Sequence, residues 1–286
     1  MKIPKVAAVD IGTNSMRLLM VQKIGEGTVE LGRWERVTGL GTGVHESGRL
    51  SEEAMDRTLL TLAEFGARMN KAEVEKRRAV ATSAARDSEN RDQFFDRAEL
   101  ALGVRPELIS GEEEARLAFA GATAGRAEAV LVIDIGGGST EFVTGDHGKS
   151  YDIGSVRLTD MALADRPASE EKVTATRAMV SQTFLDVVPF TGLILGVAGT
   201  WTSLGAIEDS DVLTVPQVTA WIDRLAGMTF EETAGIPGLD PARARVILAG
   251  AVIAEGAMIA AGGGPVEISR HDLLDGIVAD LLQAGS

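Results

Sequence analysis

The 286-residue chain carries 42 acidic against 28 basic side chains, a formal net charge of −14, with 45% hydrophobic and 24% charged residues. That length suits two domains, each burying its own core, and the acidic balance argues against a nucleic-acid binder that relies on a broad basic surface. Cysteine is absent, which excludes disulfides and thiolate metal sites, and the apolar start is interrupted at Asp10, too short a run for a signal sequence or membrane span. A cytoplasmic protein with no membrane contact is expected.

Residues 6–15 (VAAVDIGTNS) predict a strand ending in Asp-Ile-Gly and small polar residues. Apolar runs at 16–21 and 28–34, with Gly25-Glu26-Gly27 as a turn, complete a three-strand meander. The glycines of 39–43 lack dinucleotide-fingerprint spacing and predict a flexible loop closing over a site. Ser51 caps a helix running to about Asn70, with Met55, Leu59 and Leu62 on one face. A strand at 79–82 leads into a small-residue loop at 83–87, and Asn90 with Gln93 resembles a capping box for a helix to about Leu102. A strand at 107–109 then precedes a helix headed by Ser110 and three glutamates, of which Glu112 and Glu113 suit the helix macrodipole.

An Ala/Gly-rich segment, 120–129, leads to the second Asp-Ile-Gly unit, which starts at Asp134, 124 positions after Asp10. Residues 130–143 (VLVIDIGGGSTEFV) read as strand, anion-binding turn and strand. Three successive glycines flanked by two carboxylates and two hydroxyls suit a phosphate held by backbone N–H groups beside a cation. A turn at 145–148 and a strand ending near 152–154 follow; the Gly-Lys-Ser at its centre lacks Walker A spacing. Residues 169–188 suit a helix and 193–198 a buried strand, and 199–203 form a small-residue loop opening a helix, which offers N–H groups to phosphate. Helices from about Pro216, Pro241 and His271 follow, with a strand at 266–268. The three histidines, His45, His147 and His271, lack metal-ligand spacing and read as surface residues. Both halves therefore follow strand, strand, strand, helix, strand, helix. Two like domains, divided at 124/125 and facing across a central cleft, would bring Asp10 and Asp134 together. The last helix is allowed to pack back on the first domain.

The segments DIGTNSMRLL, ATSAARD, ISGEEEARL, DIGGGSTE, DIGSVRLT, GVAGT and RARVILAGA resemble the exopolyphosphatase and guanosine pentaphosphate phosphatase family (Ppx/GppA), a branch of the actin, Hsp70 and sugar-kinase (ASKHA) superfamily. The resemblance implies an α/β fold of two actin-like, ribonuclease H-like domains. It also implies hydrolysis of terminal phosphate from inorganic polyphosphate, from the 5′ end of pppGpp, or from both. It places the catalytic base on Glu114 and the divalent-metal carboxylates on Asp134 and Glu141, with Asp10 helping through the metal's water shell. Asn14, Ser15, Arg17, Arg86, Gly137, Gly138 and Ser139 are the phosphate ligands; Arg243 and Arg245 fall where a related segment binds nucleotide or polymer. Mg²⁺ is the implied cofactor, with Mn²⁺ as a substitute and K⁺ as a stimulant, and a homodimer is implied. The leading reading is an exopolyphosphatase. A pppGpp phosphohydrolase, a non-catalytic (p)ppGpp- or polyphosphate-binding regulator and a sugar kinase are the alternatives. The chain resembles the short form, without the C-terminal HD-like region. Gly39 stands where many members have arginine, and Trp201 suits core packing, or else stacking on guanine.

Overall fold

A computed structural model describes residues 4–25, 27–124, 126, 129–145 and 147–283. Glu26, Gly125 and Asp146, which the sequence assigns to two turns and to the domain boundary, lie outside the described residues. The chain forms two compact units, Met1–Gly121 with His271–Ser286, and Ala122–Arg270. The sequence-derived division at 124/125 runs three residues later and leaves the last helix with the second domain.

The first unit contains β1 (Lys5–Ile11), β2 (Ser15–Ile24), β3 (Gly27–Val37), α1 (Val44–Ser47), α2 (Glu52–Lys71), β4 (Lys76–Ala81), α3 (Ser83–Arg86), α4 (Arg91–Leu102), β5 (Glu107–Leu108) and α5 (Gly111–Ala122). The second contains β6 (Val130–Ile135), β7 (Thr140–Thr144), β8 (His147–Tyr151), α6 (Ser155–Ala162), α7 (Glu170–Thr183), β9 (Leu193–Val197), α8 (Gly199–Glu208), β10 (Val212–Leu213), α9 (Val215–Ala226), α10 (Phe230–Ala234), α11 (Ile247–Ala260) and β11 (Val266–Ile268). A 3₁₀ turn at Pro241–Arg243 precedes α11, and α12 (Leu273–Gln283) closes the first unit.

The first sheet has the order β3-β2-β1-β4-β5, antiparallel across the meander and parallel from β1 through β5. In the second sheet, β8-β7-β6-β9-β11 repeats that order, with β10 added antiparallel at the edge. The same α/β sheet order is thus present twice. β1 and β6 are buried along nearly their whole length, as strands covered on both faces must be, so their sequences are apolar runs rather than alternations. Each sheet faces helices. Ala7, Val9 and Ile11 of β1 pack with Met55, Leu62, Phe65 and Phe94, while on its other face Val6 and Ala8 pack with Leu117, Leu273 and Ile277. In the second unit Ile133 and Ile135 join Trp201, Val252 and Met258 in one core.

Local chemistry explains most element ends and corrects several expectations. Ser51 and Ser169 each accept a hydrogen bond from the backbone N–H three residues on, as N-caps do. Asn90 does not: its side chain pairs both backbone groups of Leu50, so the expected capping box is replaced by a tie between distant segments. The reciprocal boxes occur instead at Thr214/Gln217 and Thr229/Glu232. The loop expected at 83–87 folds into α3, and α7 ends at Thr183, short of the expected 188. No helix among the described residues is long and apolar enough to cross a membrane.

Candidate active site

In the first unit β1 delivers Asp10 to a tight turn. Gly12 N donates to Ser15 O at 3.1 Å, and a Cβ on Gly12 would sit 2.8 Å from that carbonyl. The loop is tied from outside by Ala84 N donating to Thr13 Oγ1, by Gly41 N to Thr13 O, and by Thr38 N and Gly39 N to Asn14 O. Gly39 and Gly41, within the segment 39–43 expected to form a flexible loop, are thus hydrogen-bonded to the turn. Gly39 has φ +62°, a conformation that strains any side chain, which accounts for glycine there. Asn14 Nδ2 is buried and has no hydrogen-bond partner among the described residues; neither has Asp10 Oδ1.

Asp10 lies directly opposite Arg17 in the β1–β2 register, so both side chains rise from the same sheet face. Arg17 donates to Asp10 Oδ2 from Nε at 2.9 Å and from Nη2 at 2.5 Å, and its Nη1 donates to Asp272 at the head of α12. The guanidinium expected to bind phosphate thus donates to two carboxylates. Strand alternation fixes the face of Arg17 but not its distant partner. Asp272 had no sequence signal: it is 255 positions from Arg17 and shares no periodicity with it.

Glu114 sits in the first turn of α5, whose start is capped by Ser110 Oγ accepting from Glu113 N. Its Oε2 accepts from Arg86 Nη1 at 2.8 Å, and the same Nη1 donates to Ile109 O. Burial pushes the Glu114 carboxyl above the usual glutamate range; Arg86 pulls the other way, and the charge of Asp10 adds to the rise. Glu112 is exposed and Glu113 pairs with Arg116, in keeping with a solvated first turn.

The second unit repeats the turn. Gly136 N donates to Ser139 O at 3.0 Å, matching Gly12 and Ser15. Its outer side is held by the head of α6: Ser155 N donates to Gly136 O, Val156 N and Arg157 N to Gly137 O, and Arg157 Nε to Gly138 O. Gly154 is obligatory here, since a Cβ would lie 2.5 Å from Gly137 C and Gly138 N. Gly137 is half-buried, whereas Gly138 and Ser139 are buried. Asp134 stands opposite Glu141 in the β6–β7 register, the counterpart of Asp10 opposite Arg17. Here the pair is two carboxylates, 5% and 1% exposed. Ser150, one strand further, donates to Glu141 Oε1 at 2.6 Å. Arg157 and Ser150 are contacts that the sequence reading did not single out; the Gly-Ser-Val-Arg segment was the only signal for the first.

Among the described residues no three His, Asp or Glu side chains gather as a metal cage. Two buried carboxylates side by side, with oxygen donors only, nonetheless fit a magnesium ion that keeps several waters and takes phosphate oxygens.

Arg243 is buried, its guanidinium packed on Gly199 at the start of α8, where a Cβ would come within 2.5 Å of Cζ and Nη2. Arg245 instead pairs with Asp160 at 2.7 Å and is half exposed. The residue before α8, Ala198, holds φ +70°, a strained conformation for a side-chain-bearing residue, of the kind that clusters at functional turns. Trp201 is fully buried and donates from Nε1 to Ile133 O, so its role is core packing rather than stacking on a base.

The model of the Ppx/GppA phosphatase family matches residues 20–284. The chain is 37% identical to Exopolyphosphatase 2 of Mycobacterium tuberculosis, over 98% of this chain and 99% of that protein. Among solved structures, an exopolyphosphatase-like protein superposes with a TM-score of 0.91 at 32% identity, covering all of both chains. The Ppx/GppA family member of Aquifex aeolicus gives 0.81 at 31%, again over both whole chains. With both glycine turns, the doubled sheet order and a match of this length, the chain belongs to the Ppx/GppA phosphatase family.

Proposed function

We propose that this protein is an exopolyphosphatase that releases terminal orthophosphate from inorganic polyphosphate, with Glu114 as the base. The observation that carries the reading is the half-buried Glu114 carboxylate, its side chain 12% exposed, anchored through one oxygen by Arg86 and raised in pKa by its surroundings. A carboxylate whose pKa is raised is a better proton acceptor than an exposed one. Glu114 takes a proton from water as the water oxygen bonds to the terminal phosphorus. The bond from phosphorus to the bridging oxygen breaks, and the shortened chain leaves with that oxygen.

Arg86 holds Glu114. The turn amides of Gly137, Gly138 and Ser139 serve phosphate oxygens, and the Asp134–Glu141 pair serves a divalent cation, which would neutralise charge on the phosphate. Asn14 and Ser15 serve as further phosphate donors, and Arg243 and Arg245 as contacts to the rest of the polymer. Mg²⁺ with Mn²⁺ as substitute, K⁺ stimulation, a cytoplasmic location and a homodimer complete the proposal on the strength of the family resemblance; light scattering tests the last.

The burial of Trp201 removes the aromatic side chain that the sequence offered to a guanine, which favours polyphosphate over pppGpp. Phosphate release is to be measured on polyphosphates of graded length and on pppGpp, with and without Mg²⁺. Faster turnover of polyphosphate is expected. Preference for pppGpp would transfer the reading to a pppGpp phosphohydrolase, and tight binding of either without release would make the protein a regulator.

A further inference from the structure

We propose that Asp272 is a positioning residue of this site: it clamps Arg17 onto Asp10, so that the C-terminal segment completes the first unit's phosphate turn. The inference rests on the hydrolytic reading above. Asp272 is buried at the N-terminus of α12, and its two oxygens have separate tasks. Oδ1 accepts from Leu274 N at 2.9 Å, starting the helix, while Oδ2 accepts from Arg17 Nη1. With Nε and Nη2 of Arg17 both on Asp10 Oδ2, the guanidinium is held from two sides and the Asp10 carboxylate is fixed, its other oxygen buried without a hydrogen-bond partner among the described residues.

The clamp is itself held. Arg33 Nη2 donates to Asp275 Oδ1 at 2.8 Å, and Asp275 Oδ2 accepts from Asp272 N at 2.9 Å. On its other side α12 meets α5 at two glycines: a Cβ on Gly276 would overlap the Leu117 carbonyl, and one on Gly121 the Asp272 carbonyl. α5 is the helix that carries Glu114. One short segment thus braces both Asp10 and the element bearing the proposed base, a tie between residues 17 and 272 that depends on a carboxylate at position 272.

The test compares wild type, D272S, R17A and R17A/D272S on a polyphosphate of one length with saturating Mg²⁺. D272S keeps a hydroxyl able to cap α12 but cannot reach Arg17, so folding, followed by circular dichroism, is expected to survive. The expected result is a kcat at least tenfold lower in D272S with KM within threefold, and no further loss when D272S is added to R17A. Unchanged kcat, additive losses in the double variant, or a lower KM at constant kcat would each overturn the proposal, the last because Asp272 would then merely compete with phosphate for Arg17. If wild type releases no phosphate from polyphosphate or pppGpp, the hydrolytic reading falls, and the clamp is judged by ¹⁵N NMR of Arg17 Nε–H. A signal protected from exchange in wild type and lost in D272S supports the clamp; the same signal in both overturns it.

Discussion

Glu114 carries the heaviest burden at the scale of single residues. Removing a positioned general base costs about 10²–10⁴ in rate, so E114Q is expected to lose at least a hundredfold in phosphate release while remaining folded. Because burial raises the Glu114 pKa, the acid limb of kcat/KM is expected above the ordinary glutamate value of 4.5. The stability sign follows from the same shift. An acid whose pKa is raised on folding favours the folded state most at pH below its unfolded value, and that favour fades as pH rises through the folded pKa. Wild type is therefore expected to lose stability relative to E114Q as pH climbs above about 4.5, measured by chemical denaturation across pH. The two register pairs make a second residue-scale contrast. Asp10 faces an arginine and Asp134 faces a glutamate, at the same offset of seven positions. Only the second pair concentrates negative charge for a cation, so D134N and E141Q are expected to raise the Mg²⁺ concentration for half-maximal activity at least tenfold, and D10N to shift it less.

Between elements, backbone approaches decide more than side-chain volumes. Gly154 lets the head of α6 lie against the turn at 136–138, and G154A forces the two apart. A loss of about 1–3 kcal/mol in unfolding free energy is expected from that overpacking, together with a lower affinity for substrate phosphate. G276A is expected to be at least as damaging, since its neighbour is the Leu117 carbonyl of α5 and backbone yields less than a side chain. α12 also contributes Leu273, Leu274, Ile277 and Val278 to the core under β1. Truncation after residue 270 is therefore expected to leave the first sheet open on one face, read as lost helicity or aggregation in size-exclusion chromatography.

For the whole molecule, a net charge of −14 opposes a polyanionic substrate at distances beyond the reach of any loop. Screening shortens that repulsion to about 8–10 Å near physiological salt, so kcat/KM for long polyphosphate is expected to rise from low to moderate ionic strength at fixed free Mg²⁺; a fall would show that local cations dominate approach. The sequence alone determined the doubled plan: two Asp-Ile-Gly turns 124 positions apart, buried strands before them, and the glutamate heading α5, because short-range spacing and apolar runs are local properties of the chain. Its family motifs also named the residues of both turns. Tertiary structure alone decided what those residues touch. Arg17 is drawn to Asp272, Arg86 to Glu114, Asn90 to Leu50, and the last helix to the first sheet. Contacts across such separations are selected by burial and charge pairing in the packed unit, and no periodicity in the sequence records them.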